Sequence, residues 1–262
     1  MSGPVLALTW PVLKHASNEA NLADSRQRTP GRRSTVCIML AMIQLHYHPS
    51  DASLMPHILL EELGVPFELL LVDRSCNAQK SPEYLQLNPN GLIPVLQDGS
   101  LVVYETPAIL MHLADTHPQA QLLPPLGSHE RAHAYKWLAW LSNTLQTQLV
   151  QYFYAERYVQ SSGVADFRAR AEARLAPLLD QVDAQLQFGG GPWLLGTHYS
   201  AADCMAFVLC CWTRNLAHPA SQRPAIGAYI ARMRQRPAVQ RAVSTEQLPE
   251  SFFVRAADPL SH

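Results

Sequence analysis

No apolar run in this chain approaches the roughly 20 residues that a membrane-spanning helix needs, so a soluble protein is expected. Charge is sparse as well: 16% of the 262 residues are charged, and 20 basic side chains against 21 acidic ones leave a formal net charge of −1. Nucleic acid and anionic membranes are normally met by a clustered basic excess. Its absence turns the expectation away from both and toward a small-molecule ligand. Cysteine is scarce too. The five present (Cys37, Cys76, Cys204, Cys210, Cys211) form an odd, scattered set without C-x-x-C and without a Cys/His cluster at metal-ligand spacing. That argues for a reducing, cytoplasmic setting and against a metal site. Cys210 and Cys211 sit within an apolar run ending at Trp212, which predicts burial in a helix.

What is there is ample apolar material, 48% of residues, in a chain longer than the usual single domain. Residues 1–41 mix Asn, Ser, Thr, Arg and Gly with few periodic apolar positions. They read as a disordered extension, or as the product of a translation start assigned too early, with Met42 the natural first residue. Their one apolar stretch lies too late and is too short for a signal peptide.

From Ile43 the pattern sharpens. Ile43, Leu45 and Tyr47 alternate with Gln44, His46 and His48, the period of a half-buried strand. Ser53 then precedes a helical stripe of Leu54, Met55, Ile58, Leu59 and Leu63, closed by Gly64 and Pro66. A second strand is predicted over residues 67–72, and Ser81-Pro82 opens a short helix. Asn88-Pro89-Asn90-Gly91 is a turn. Strands over 93–96 and 101–104 flank Asp98-Gly99, a dipeptide suited to a tight hairpin. Thr106-Pro107 repeats the cap-plus-proline signal for a helix through Leu113. The order is βαβ, a short helix, then ββα.

Residues 116–127 form a proline-punctuated connector, and every later segment has helical period or breaker chemistry. Helices are predicted over 130–158, from an Asp166 cap through Leu186, after a Ser200/Asp203 capping-box variant, and over 223–234 and 237–243. The tail beyond Thr245 reads as loosely ordered. The chain therefore divides into an extension at 1–41, an α/β domain at 42–120, an all-α domain at 128–245 and a tail at 246–262.

Over nearly all of residues 42–245 the sequence resembles bacterial glutathione transferases. The resemblance rests on Leu87-Asn88-Pro89-Asn90-Gly91-Leu92-Ile93-Pro94-Val95-Leu96 and Glu105-Thr106-Pro107-Ala108-Ile109. In the helical half it adds Gly196 with Ser200-Ala201-Ala202-Asp203, and Met233 with Arg236-Pro237-Ala238-Val239. It implies a thioredoxin-like N-terminal domain plus an all-α C-terminal domain, a homodimer, and glutathione as substrate. It also implies a cis bond before Pro94, with Ile93 offering its backbone to the cysteinyl unit of the tripeptide. Glu105 and Thr106 would hold the γ-glutamyl end, and Leu92 and Lys80 would contact the glycyl end.

A free thiol titrates near 8.5, and lowering that by two units needs roughly 2.7 kcal/mol. A hydroxyl donor plus a helix N-terminus supply about 1 to 3 and 0.3 to 1 kcal/mol, so one well-placed hydroxyl suffices. Ser53, at the start of the first helix, matches the position used by serine-type members. Tyr47, at the end of the first strand, matches the tyrosine-type members. Where the beta-type subgroup carries a cysteine and a histidine, this chain has Ala52 and Gln146, which tells against mixed-disulfide chemistry. Tyr152, Phe153 and Tyr154 are the candidates for the wall of an electrophile site between the domains. The expected reaction is conjugation of the thiolate to an apolar electrophile. A glutathione-dependent isomerase, a dehalogenase or a non-catalytic binding protein are the alternatives.

Overall fold

A computed structural model describes residues 42–253. The expectations for 1–41, for Cys37 and for the tail after 253 lie outside the described residues. The chain folds as β1 (Ile43–Tyr47), α1 (Leu54–Leu63), β2 (Phe67–Leu71), α2 (Pro82–Leu87), β3 (Val95–Asp98), β4 (Leu101–Tyr104) and α3 (Thr106–Thr116), followed by helices only. These are α4 (His129–Trp140), α5 (Thr147–Phe153), α6 (Val164–Phe188), α7 (Ala201–Trp212), α8 (Pro224–Arg234) and α9 (Pro237–Thr245). Among these residues no helix is long and apolar enough to cross a membrane.

The strands form one mixed sheet in the order β2-β1-β3-β4, with β1 parallel to β2 and antiparallel to β3, and β3 antiparallel to β4. The period of two predicted for β1 is realised: Ile43 and Leu45 are buried. Gln44 and His46 point to the other face, bonding Glu68 at 2.8 Å and Gln97 at 2.7 Å. β3 begins at Val95 and not at 93, because Pro94 has no N–H to give to a ladder; the Ile93-Pro94 bond is cis. Leu96 then faces the main core, while Val95 joins Val72 and Tyr84 in a small cluster on the opposite face.

α1 buries seven consecutive residues from Leu54 to Leu60, and Gly64 ends it in the left-handed region at φ 64°, as the Gly-Pro signal predicts. α7 is apolar on every face and is buried from Ala201 to Cys211, the pattern of a central helix. Its capping box is formed by Ser200 and Asp203. Cys204, Cys210 and Cys211 are buried in it and Cys76 is exposed. One hydrophobic core runs from β1, α1 and α3 into α4, α6, α7 and α8.

The helices predicted over 130–158 are α4 and α5, joined by a π-helical turn, Leu141–Gln146. Three other local expectations need correcting. α6 starts at Val164 with Gly163 at its cap. Asp166 lies inside the first turn, where its charge still favours the positive end of the helix dipole. At α3 the cap position is Glu105 and Thr106 is the first helical residue. The stretch after Thr245 is packed as far as it is described: Glu246, Phe252 and Phe253 are buried. The ring of Phe253 stacks on Phe207 of α7 with centroids 6.2 Å apart, so two adjacent phenylalanines close the end of the core.

Candidate active-site cleft

Three chain segments from the sheet half and two from the helical half meet around one cleft. The first is the loop from His48 to Ser53 that leads into α1. Its Ser50 takes φ 64°, a costly conformation for a residue with a side chain. It is held there from both sides, because its N–H donates to Glu246 Oε2 at 2.9 Å and its carbonyl accepts from Trp212 Nε1 at 3.0 Å. That positions Asp51 and Ala52 in the cleft wall.

The second segment is the turn before β3. The side-chain amide of Asn88 and the hydroxyl of Tyr84 both donate to the Leu92 carbonyl at 2.9 Å. Burial raises the Tyr84 phenol well above its ordinary range, so it stays a donor. Gly91 is required here. At φ +59° a Cβ would lie 2.7 Å from both the Gln79 carbonyl and Lys80 Nζ. With the turn fixed, Leu92 is exposed into the cleft, and the N–H of Ile93 has no protein acceptor among the described residues.

The third segment is the start of α3. Glu105 stands at φ 74°, ψ 111°, and its carbonyl accepts from Ile109 N at 3.0 Å. The N–H groups of Thr106 and Ala108 meet no protein acceptor among the described residues, leaving the positive end of the helix available to an anion.

Opposite these stand Ser142, Asn143 and Gln146 of the π turn, then Thr147 and Val150 of α5. A π turn inserts an extra residue and re-aims the side chains around it, which is why such turns recur at functional sites. The cleft has two adjoining chambers that share Ala52, Leu92, Ile93, Gln146 and Val150. An inner one of about 310 Å³ contains Pro94, Glu105 and Thr106. An outer one of about 580 Å³ contains Lys80, Phe153, Tyr154 and Trp212. Lys80 Nζ rests on the Asn90 carbonyl at 3.0 Å. At the outer rim Arg74 clamps both oxygens of Asp51 at 2.9 and 2.8 Å and donates to Tyr154 Oη at 3.2 Å. Burial raises the pKa of Asp51, against the opposing pull of Arg74.

The cleft thus gathers Leu92, Ile93, Pro94, Glu105, Thr106, Lys80, Phe153 and Tyr154 from the sequence-based candidates. Both hydroxyl candidates lie elsewhere. Ser53 is fully buried, and its Oγ accepts from His48 N and donates to His48 O, each at 3.1 Å. It makes no side-chain cap to α1. In this geometry the Ser53 hydroxyl is directed at the His48 carbonyl and not into either chamber. Tyr47 packs against the core beside His57, ring centroids 6.4 Å apart, and does not line either chamber. Tyr152 is likewise turned from the cleft and packs on Phe153 at 5.4 Å. The residues that sequence reasoning missed are Asp51, Arg74, Asn143, Arg157, Trp212 and Arg214, all in the cleft wall. No local signal marks them, because each is brought in by tertiary packing.

The family described as the glutathione S-transferase N-terminal domain matches residues 41–115, and that of the C-terminal domain matches residues 165–232. Glutathione S-transferase GST-4.5 of Xanthomonas campestris pv. campestris is 33% identical over 208 residues, covering 79% of this chain and all of that protein. A glutathione transferase structure from Methylococcus capsulatus is 36% identical, with TM-score 0.71 over 79% of this chain and 100% of the other. A glutathione transferase homologue from Sulfitobacter, solved with bound glutathione, is 27% identical, with TM-score 0.73 over 79% of this chain and 99% of the other.

Proposed function

We infer that this chain, which belongs to the glutathione S-transferase family, is a glutathione transferase that joins the glutathione thiolate to an electrophilic carbon. The observation that carries the reading is the convergence of Glu105, the open N-terminus of α3, the free backbone of Ile93 and the ammonium of Lys80 around one cleft. Those groups match the tripeptide end to end. Glu105 suits the α-ammonium, the N–H groups of Thr106 and Ala108 suit the γ-glutamyl carboxylate, Ile93 suits the cysteinyl amide, and Lys80 suits the glycyl carboxylate. The unfavourable φ of Glu105 supports the assignment, since such strain persists where a site over-determines it.

In this arrangement the sulfur lies over Ala52, two residues before α1, opposite Gln146. The Ala52 N–H has no protein acceptor among the described residues, and the Gln146 side chain lines both chambers. An amide donor at about 1 to 3 kcal/mol and a helix N-terminus at about 0.3 to 1 kcal/mol approach the roughly 2.7 kcal/mol that a two-unit drop in thiol pKa requires. The thiolate then attacks carbon, a C–S bond forms, and the leaving group departs with its electron pair. The aromatic side chains Phe153, Tyr154 and Trp212 offer the electrophile's body an apolar wall. The active unit in this reading is a homodimer, which sedimentation would test.

The deciding measurement is thiolate absorbance of bound glutathione against pH, with product analysis. A depressed thiol pKa, raised again in Gln146→Ala, and consumption of glutathione support conjugation. Return of glutathione unchanged would point to isomerisation instead, and an unshifted thiol would leave a binding role only.

A further inference from the structure

The outer chamber carries more positive charge than glutathione uses. Its wall holds Arg74, Lys80, Arg157 and Arg214 against a single carboxylate, Asp51. Asp51 is taken by Arg74, and in the reading above Lys80 faces the glycyl carboxylate. Arg157 and Arg214 remain. Elsewhere in the fold Arg168, Arg170, Arg223, Arg234, Arg236 and Arg241 each meet a carboxylate. Arg157 and Arg214 meet none among the described residues; Arg174 and Arg232 also meet none, but they bond side-chain amides and the Pro192 carbonyl and lie outside the chamber.

Both guanidiniums are nevertheless held in place. Arg157 lies over the Tyr154 ring, 3.9 Å from its centroid. The Tyr154 hydroxyl is in turn fixed by Arg74. Arg214 lies over the Phe252 ring at 5.3 Å and gives one bond to the Cys211 carbonyl at 3.4 Å. A guanidinium carries five donors in a planar fork suited to two carboxylate oxygens, and stacking on a ring leaves the edge of that fork free. Two stacked, unpaired forks beside the aromatic wall of Phe153, Tyr154 and Trp212 describe a receptor for an amphipathic anion. A neutral apolar compound would leave both unused.

We propose that the electrophile of this chamber is an organic carboxylate, its aromatic or unsaturated body against Phe153, Tyr154 and Trp212 and its carboxylate held by Arg157 and Arg214. The inference rests on the glutathione reading and deepens it by naming the class of second substrate.

The test uses two unreactive ligands that differ in one group, 3,5-dinitrobenzoate and 1,3-dinitrobenzene. Each is titrated calorimetrically into the full-length protein saturated with S-methylglutathione. The carboxylate should bind about 10-fold more tightly than the neutral compound, with that preference shrinking in salt. Arg157→Gln and Arg214→Gln should each weaken the carboxylate several-fold and the double variant should abolish the preference, while 1,3-dinitrobenzene stays unchanged. Equal affinities in the wild type, or a preference that survives in the double variant, would overturn the proposal. Repeating both titrations without the tripeptide separates the two readings. Failure of S-methylglutathione to bind counts against the glutathione assignment, and loss of arginine dependence counts against the anion assignment.

Discussion

Nδ1 of His57, inside α1, lies 2.8 Å from Oε1 of Glu246, which follows α9, and both side chains are fully buried. The other oxygen of Glu246 holds the N–H of Ser50. A carboxylate at the end of α9 thus fixes both the first helix and the loop that enters the cleft wall. A sequence reading that leaves the segment after Thr245 loose misses this strut.

Glu246→Ala should therefore destabilise the fold by about 1 to 3 kcal/mol for each of the two buried donors it leaves unpaired, His57 Nδ1 and the Ser50 N–H. Glu246→Gln, which can still accept from Ser50, should cost less. Urea unfolding midpoints test both. Because Ser50 would lose an anchor, KM for glutathione should also rise in the alanine variant, and an unchanged midpoint would remove the strut from the account.

Glu105→Ala should weaken glutathione binding about 10- to 100-fold, as expected for losing a charged hydrogen bond of about 1.5 to 3 kcal/mol. The protein should stay folded, because the Glu105 side chain makes no cap bond to α3. Calorimetry reads the affinity and circular dichroism the fold.

Ser53→Ala should lower stability by about 1 to 2 kcal/mol, because two backbone groups of His48 lose their shared partner in a buried site. The thiol pKa of bound glutathione should stay where the wild type sets it. A rise in that pKa in Ser53→Ala would return the serine to the role that its sequence position suggests.

Asp203 supplies the pH prediction. Its carboxylate accepts from Leu194 N, Ser200 N and Ser200 Oγ, yet burial pushes its pKa up to about 6. The unfolded chain releases this proton near 3.9, so between about pH 4 and 6 the native state holds a proton that the unfolded state has lost. The contribution of Asp203 to stability is then full below about pH 4 and falls as pH rises through about 6. Asp203→Asn, which can accept at one oxygen only, should be less stable throughout. Its deficit should narrow over that window by up to about 3 kcal/mol, taking about 1.4 kcal/mol per pKa unit. Urea titrations of both proteins at several pH values measure the narrowing, and a constant deficit would contradict the assignment.

The alternation of Ile43 and Leu45, the helical stripe from Leu54 to Leu63, Gly64, the Ser200/Asp203 box and the motif from Leu87 to Leu96 each act within a few residues of themselves. Strand, helix, cap and turn chemistry is short-ranged, so β1, α1, α7 and the turn from Asn88 to Gly91 were legible from the sequence, whereas the cap of α3 was read one residue late, at Thr106 instead of Glu105. The direction of the Ser53 hydroxyl was not legible. Ser53 and a thiol-donating serine have the same neighbours in sequence, and the direction in which a hydroxyl points follows from how His48 curls back over it. The same holds for Trp212, Arg214 and Glu246, which reach the Ser50 loop or the cleft across more than 150 positions of chain. Which side chains meet at such range is decided by how the helices stack on α7, since the energy that selects the partners is the burial of the whole core and no local pattern encodes it.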